Sequence, residues 1–227
     1  MSLIFFTLVL AGSLAGSDPE LEKARDKQDR ASLEKIAGTL ALAAKAAPKD
    51  ADAQFRAAVA ASYQAEVAIE LKDKNGAKNA ADSGIAFAEK AIELQPKNAE
   101  NYRLLATLCG QVVPANPLGG MTYGKRAKEA INKALELNPK SPEVHLAEGV
   151  GNYYLPAMLG GGPELAAKNF NEVIALDPKC ADAYLWMGLT LRKLHKNPEA
   201  RQAFAKSLEL NPNRIWAKDQ LEKTPAQ

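Results

Sequence analysis

Aromatic residues are scarce in this chain, 6% of its 227 positions, and runs of β-branched residues are nearly absent. A pleated sheet packs on such side chains, so a β fold is excluded at the outset. Cysteine is scarce too. Cys109 lies within an apolar stretch and Cys180 follows Asp177-Pro178, settings different enough to read as two unpaired small residues rather than a disulfide framework. The two histidines, His145 and His195, stand apart from any ligand-spaced set of Cys, Asp or Glu, and no metal or other cofactor is expected. An excess of one charge is also missing. With 29 basic and 27 acidic residues the chain carries +2, without the concentrated basic face that nucleic acid requires.

What remains is 47% apolar and 25% charged, with Lys and Glu recurring along Ala- and Leu-rich stretches, the pattern of amphipathic helices with one solvated side. The start of the chain differs. Leu3 to Gly16 is a single apolar run, followed at once by Ser17, Asp18, Pro19 and a charged helix. It falls short of the roughly 20 residues a membrane-spanning helix needs, and Ala15-Gly16-Ser17 has the small-x-small form accepted by signal peptidase. Residues 1–17 are therefore expected to be a signal peptide, and residues 18–227 one mature domain, periplasmic or secreted, with no membrane span. The leader is atypical in having no Lys or Arg ahead of the apolar run. Its Leu-Ala-Gly-Ser stretch carries Ser where a bacterial lipid anchor requires Cys.

Similar helix endings recur down the chain: Ala-Ile-Glu-Leu-Gln-Pro96, Ala-Leu-Glu-Leu-Asn-Pro139, Val-Ile-Ala-Leu-Asp-Pro178 and Ser-Leu-Glu-Leu-Asn-Pro212, with Ala-Ala-Lys-Ala-Ala-Pro48 a weaker fifth. Proline lacks the amide proton and clashes with the preceding turn, so each one stops a helix. A new apolar-periodic run follows each within a few residues. The chain doubles back repeatedly, and internal repetition governs its architecture.

The unit from Pro178 to Pro212 closely resembles the tetratricopeptide repeat family. Its motif positions read Tyr184, Met187, Gly188, Leu191, Ala200, Phe204, Ser207 and Pro212, with Ser207 departing from the family's Ala. Gly188 and Ala200 let two antiparallel helices approach closely while the large residues fill the space beside them. The unit ending at Pro178 matches through His145, Glu148, Gly149, Asn152, Ala166, Phe170 and Val173. That ending at Pro139 matches through Tyr102, Leu105, Ala106, Cys109, Ala127, Ile131 and Ala134. Before Pro96 only Ala57, Ala58, Ala61, Gly84, Ala88 and Ala91 can be placed. The resemblance implies an all-α, right-handed α-solenoid of antiparallel helix pairs, in units of about 18–48, 49–96, 97–139, 140–178 and 179–212. A cap helix at 213–222 would close the C-terminal end. Units grow longer toward the N-terminus, and the extra length falls between the helices of a pair: at Lys72 to Gly76, Val112 to Gly120 and Leu155 to Pro163. Enlarged inter-helix loops on one edge of the solenoid are expected to form a decorated rim.

Catalytic patterns are absent from the sequence; no Gly-x-Ser-x-Gly or His-Glu-x-x-His occurs, and no enzyme is expected. Gly119-Gly-Met-Thr-Tyr-Gly124-Lys125-Arg126 imitates a phosphate-binding loop but has Arg126 where Ser or Thr must hold magnesium, and no strand precedes it. A milder reading keeps Gly124, Lys125 and Arg126 as an anion-binding turn at a helix N-terminus, against a solvated turn. His145 is expected to pack where the matching positions carry Tyr102 and Tyr184.

The family binds partners on the concave face lined by the first helix of each unit. Here that implies Phe55, Arg103, Leu146, Tyr153, Tyr154 and Arg192 among the partner-binding residues. Co-chaperone members use Lys and Asn to clamp a carboxylate, but this chain has Phe55, Arg103, Leu146 and Leu185 at the first such Lys position. Tyr153 and Tyr154 point about 100° apart on a helix, so at most one faces the groove squarely. The leading expectation is a scaffold of the bacterial cell envelope that captures a protein or peptide. A second is a small-ligand binder, because the chain looks somewhat like the T-component of tripartite solute transporters. A spacer is the third. A sealed apolar pocket under the loops would favour the ligand binder, and a shallow open groove the scaffold.

Overall fold

A computed structural model of the protein describes residues 18–114 and 120–226. The expected signal peptide at 1–17 lies outside the described residues. Eleven α-helices and no strand occur among those described: α1 (Pro19–Asp26), α2 (Arg30–Ala46), α3 (Ala51–Glu70), α4 (Lys74–Leu94), α5 (Ala99–Val112), α6 (Gly120–Leu137), α7 (Pro142–Tyr154), α8 (Pro163–Leu176), α9 (Ala181–Lys193), α10 (Asn197–Leu210) and α11 (Ile215–Glu222). A 3₁₀ turn, Ala157–Leu159, sits between α7 and α8. None of the described helices is long and apolar enough to cross a membrane.

Local chemistry explains where the helices begin and end. Asp18, Asp29, Asp50, Asp73, Asn98 and Ser141 each accept backbone amides of the first turn that follows, satisfying donors that no helix can pair internally. Pro48, Pro96, Pro139, Pro178 and Pro212 follow the ends of α2, α4, α6, α8 and α10.

Each helix packs on its chain neighbours. The odd-numbered helices also touch across units, α1 on α3, α3 on α5, α5 on α7 and α7 on α9. They form the inner layer of an α-solenoid, and the even-numbered helices form the outer layer. Within a pair the axes approach until a side chain on one helix occupies the place of a missing Cβ on the other. A Cβ on Gly149 would lie 2.5 Å from the Phe170 ring, and one on Gly188 2.6 Å from the Phe204 ring. Both rings are fully buried, and truncating either would cost about 3–5 kcal/mol.

The loop expected at Lys72 to Gly76 is not enlarged. α4 already starts at Lys74, leaving a turn of Leu71, Lys72 and Asp73. The Asp73 carboxylate accepts the Gly76 amide at 2.9 Å, which makes this glycine part of a capped first turn. The extra residues of the unit lengthen its helices to 20 and 21 residues. The connection from Leu155 to Gly162 is a true insertion, folded back by the Gly162 amide donating to the Asn152 carbonyl at 2.9 Å.

Candidate functional site

The inner layer brings the two ends of the chain together. After five units the solenoid has turned far enough for the last inner helix to meet the first: Arg25 on α1 pairs with Asp182 on α9 at 3.0 Å. Asn211, at the end of α10, donates to Asp26 at 2.7 Å. Arg214, the residue before α11, reaches between two carboxylates one turn apart on α3. It donates to Glu66 at 2.6 Å and to both oxygens of Glu70, and Gln28 adds a bond to Glu70 at 2.8 Å. Arg214 is only 1% exposed. Its Nε makes no hydrogen bond but lies 3.8 Å from Asp26. These residues form a seam of buried charge that closes the solenoid on itself.

Electrostatics in the seam follow from burial. One guanidinium is shared by Glu66 and Glu70, and desolvation of the more deeply buried Glu70 pushes its carboxyl up to about 7, with Arg214 only partly opposing. Asp182 goes the other way. Desolvation would raise it, but Arg25 and Arg214 together hold it below the usual carboxylate range.

Beside the seam lies an aromatic cluster. Trp186 on α9 meets Tyr153, Tyr154 and Trp216 edge-on at 5.5, 5.9 and 5.4 Å between ring centroids. Arg214 also lies over the Trp216 ring at 5.6 Å. Tyr153 is drawn into the packing of α9, and its carbonyl accepts the Lys193 ammonium at 2.8 Å. Tyr154 remains 51% exposed. It lies at the end of the inner-layer helix α7, and its hydroxyl is pushed up, first by desolvation and then by Tyr153, Glu66 and Glu70.

The other concave-face candidates are already committed. Phe55 and Leu146 are partly buried against core clusters, and Arg103 pairs with Glu100 on its own helix at 2.6 Å. Arg192 donates to the Gln220 side chain at 2.7 Å and to Thr224 at 3.3 Å, clamping the C-terminal cap. Gly124, Lys125 and Arg126 do not form a turn. They lie inside α6, past its first residues, where backbone amides serve the helix; Lys125 pairs with Glu129 at 3.8 Å and Arg126 with Glu89 at 2.5 Å. An anion would need free amides there.

His145 takes the packing role expected of it. Its Nε2 lies 2.9 Å from the Pro139 carbonyl, just as the Tyr102 and Tyr184 hydroxyls donate to the Pro96 and Pro178 carbonyls at 3.0 and 3.3 Å. Both cysteines are free thiols, and burial pushes each up to about 11. The described residues hold no cluster of three or more His, Cys, Asp or Glu placed for a metal ion. Their two best-formed depressions, about 600 and 550 Å³, are open and largely charged at the rim; one lies between α1, α2 and α3, the other between the α1–α2 turn and the start of α11.

Paired helices, close Gly–Phe crossings and proline-terminated repeats define a tetratricopeptide-type helical repeat protein. The fold matches that of a thermophilic TPR protein from Thermus thermophilus with a TM-score of 0.60 and 18% identity, over 88% of this chain and 99% of that one. By sequence, the chain belongs to the family of regulator of microtubule dynamics proteins 1-3, which it matches over residues 20–223. It is 29% identical over 179 residues to regulator of microtubule dynamics protein 3 of Bos taurus, covering 71% of this chain and 37% of the relative. To protein 2 of the same organism it is 30% identical over 109 residues, 48% of this chain and 26% of the relative. The matched portions thus span well under half of those proteins.

Proposed function

We propose that this chain is a non-catalytic binding module that engages a protein or peptide segment on its inner face, with Tyr154 as the anchor. The observation that carries the reading is the contrast around that residue. Its neighbours Tyr153, Arg192 and Trp186 are occupied by internal contacts, while Tyr154 presents half its surface beside an ordered aromatic cluster, and open aromatic rings on rigid supports are the usual hot spots of protein interfaces. The narrower form of the proposal places the module in the bacterial cell envelope, supported by the apolar run from Leu3 and its small-x-small ending. The family's name supplies microtubules as a further partner class to test. The alternative, a small-ligand component of a transport system, finds less support in depressions that are open and charged.

The test is photo-crosslinking from position 154 in the native cell, with the outer-layer position Lys168 as control. Discrete protein adducts from 154 alone are expected. Equal adducts from both positions, or none from 154 in a sample that carries co-purifying small molecules, would refute the protein-binding reading in favour of the alternative.

A further inference from the structure

Apolar side chains that stand in water need an occupant, and this protein concentrates them on one edge. Of its nine exposed large apolar residues among those described, Leu71, Met121, Met158, Leu159 and Leu165 lie at the turns joining the two helices of a unit. Met158 is 90% exposed, Met121 88% and Leu159 63%. They are carried by consecutive turns of the solenoid, α5–α6 and α7–α8, and among the described residues neither of the two best-formed depressions is lined by them. The flanking turns carry cations. Lys72 and Lys74 lie at the α3–α4 turn, and His195 and Lys196 at the α9–α10 turn. Lys72 and His195 are exposed and their side chains make no hydrogen bond or ion pair, yet both hold the backbone at φ 63° and 60°, a region where glycine would sit without strain. Strain kept at Lys72 and His195, both facing solvent, points to a use for the side chains.

We infer that this edge docks on an anionic lipid bilayer, with Met121, Met158 and Leu159 entering the interface and Lys72, Lys196 and their neighbours meeting the headgroup charge. Apolar tips on two consecutive turns, with Lys72, Lys74 and Lys196 on the turns to either side, suit a soft surface that accepts them at any spacing. A protein partner would call for a shaped pocket and a central anchor, which the described residues of this edge do not offer. The opposite edge provides the contrast. Its turn lysines Lys97 and Lys140, at the α4–α5 and α6–α7 turns, stand without an exposed large apolar side chain beside them. Docking through this edge is independent of the Tyr154 reading, which concerns the inner face.

The full chain with Cys180→Ser and a polarity-sensitive dye on Met158→Cys, Cys109 being buried, is mixed with vesicles of phosphatidylcholine alone or with phosphatidylglycerol. A blue shift is expected with the anionic vesicles only, weakened by salt, and absent from a dye on Lys97→Cys. Met158→Asp with Leu159→Asp should weaken the salt-sensitive binding roughly tenfold or more, and Lys72→Glu with Lys196→Glu by several-fold. An unchanged dye at 158, or equal shifts at 158 and 97, overturns the inference even if the chain sediments with vesicles through its apolar N-terminal run. Protein adducts from a crosslinker at 158, without any vesicle shift, would reassign the edge to a protein.

Discussion

The two edges of the solenoid are built from the same helices yet use opposite chemistry. Turns between units are stapled: proline ends the helix, and a side chain from the next helix bonds back across it, Gln54 to the Ala44 carbonyl at 2.7 Å, Asn101 to Ala91 at 3.0 Å, and Tyr102, His145 and Tyr184 to the proline carbonyls. Turns within units are left free to vary. Three of them share one backbone form, in which Gln28, Lys72 and His195 take positive φ and the amide of the following residue bonds to the carbonyl five residues before it, yet none uses glycine. One edge fixes the geometry of the repeat, and the other presents side chains. The seam is where the two edges meet, because the α10–α11 turn of the first kind docks beside the α1–α2 turn of the second.

Breaking that meeting point should have the largest effect. Arg214→Ala leaves Glu66, Glu70 and Asp26 facing one another without their shared cation, and a loss of about 3–5 kcal/mol is expected in urea unfolding. Pairing Arg214→Met with Glu70→Gln and Glu66→Gln should recover much of it, since a buried ion pair exchanged for neutral groups is often stability-neutral. No recovery would mean that the seam's charges also fix its geometry. The same site sets a pH dependence of unusual sign. Glu70 titrates near 4.5 when unfolded and near 7 when folded, so the folded chain holds more protons between those values. Stability is therefore full below about pH 4.5 and falls as pH rises through 7, by up to about 3 kcal/mol from this group. Asp182, held low by Arg25, contributes in the opposite direction and only at more acidic pH. Urea midpoints at pH 5 and 7.5 should differ in the parent and converge in Glu70→Gln.

A smaller effect tests the stapled edge. Tyr102→Phe removes one bond to the Pro96 carbonyl while keeping the ring, and about 1 kcal/mol is the expected loss. The same hydroxyl-free change at Tyr123, whose hydroxyl only donates to Asp82 beside a presenting turn, should cost less. Equal losses would erase the distinction between the edges.

Most of the stapled edge is legible in the sequence and almost none of the seam is. Proline spacing locates the ends of α2, α4, α6, α8 and α10, because that signal is local. Even the weakly matching second unit keeps the crossing of its two helices: a Cβ on Gly84 would lie 2.9 Å from the Ala61 methyl. The seam joins residues as far apart as Arg25 and Asp182, and each charge by itself resembles a solvated helix face. Two signals point to it nonetheless. Glu66 and Glu70 are like charges on one face of α3, an arrangement that destabilises an isolated helix. Arg214 lies two residues after a proline, where Asp50, Asn98 and Ser141 cap the helices that follow; an arginine accepts no hydrogen bond and has to be there for another partner. Arg192 reads as a groove residue for the converse reason, since its position on α9 says nothing of the cap folding back onto it.

The finest test of the comparison lies in the strained turns. If Lys72 and His195 served only to turn the chain, Lys72→Gly and His195→Gly would be purely beneficial, because glycine adopts their positive φ without the clash between Cβ and the neighbouring carbonyl. Glycine's greater freedom in the unfolded chain offsets part of that gain, so each substitution should stabilise by a few tenths to about 1 kcal/mol. The double variant should therefore unfold at higher urea and bind anionic vesicles less well than the parent, a stability gain coupled to a functional loss. The matching change at Gln28, whose side chain bonds Glu70, should show no gain, because the seam loses a donor as the turn loses its strain. If all three positions gain equally and vesicle binding is untouched, the side chains on this edge have no use that strain preserves, and the two edges differ only in how they turn.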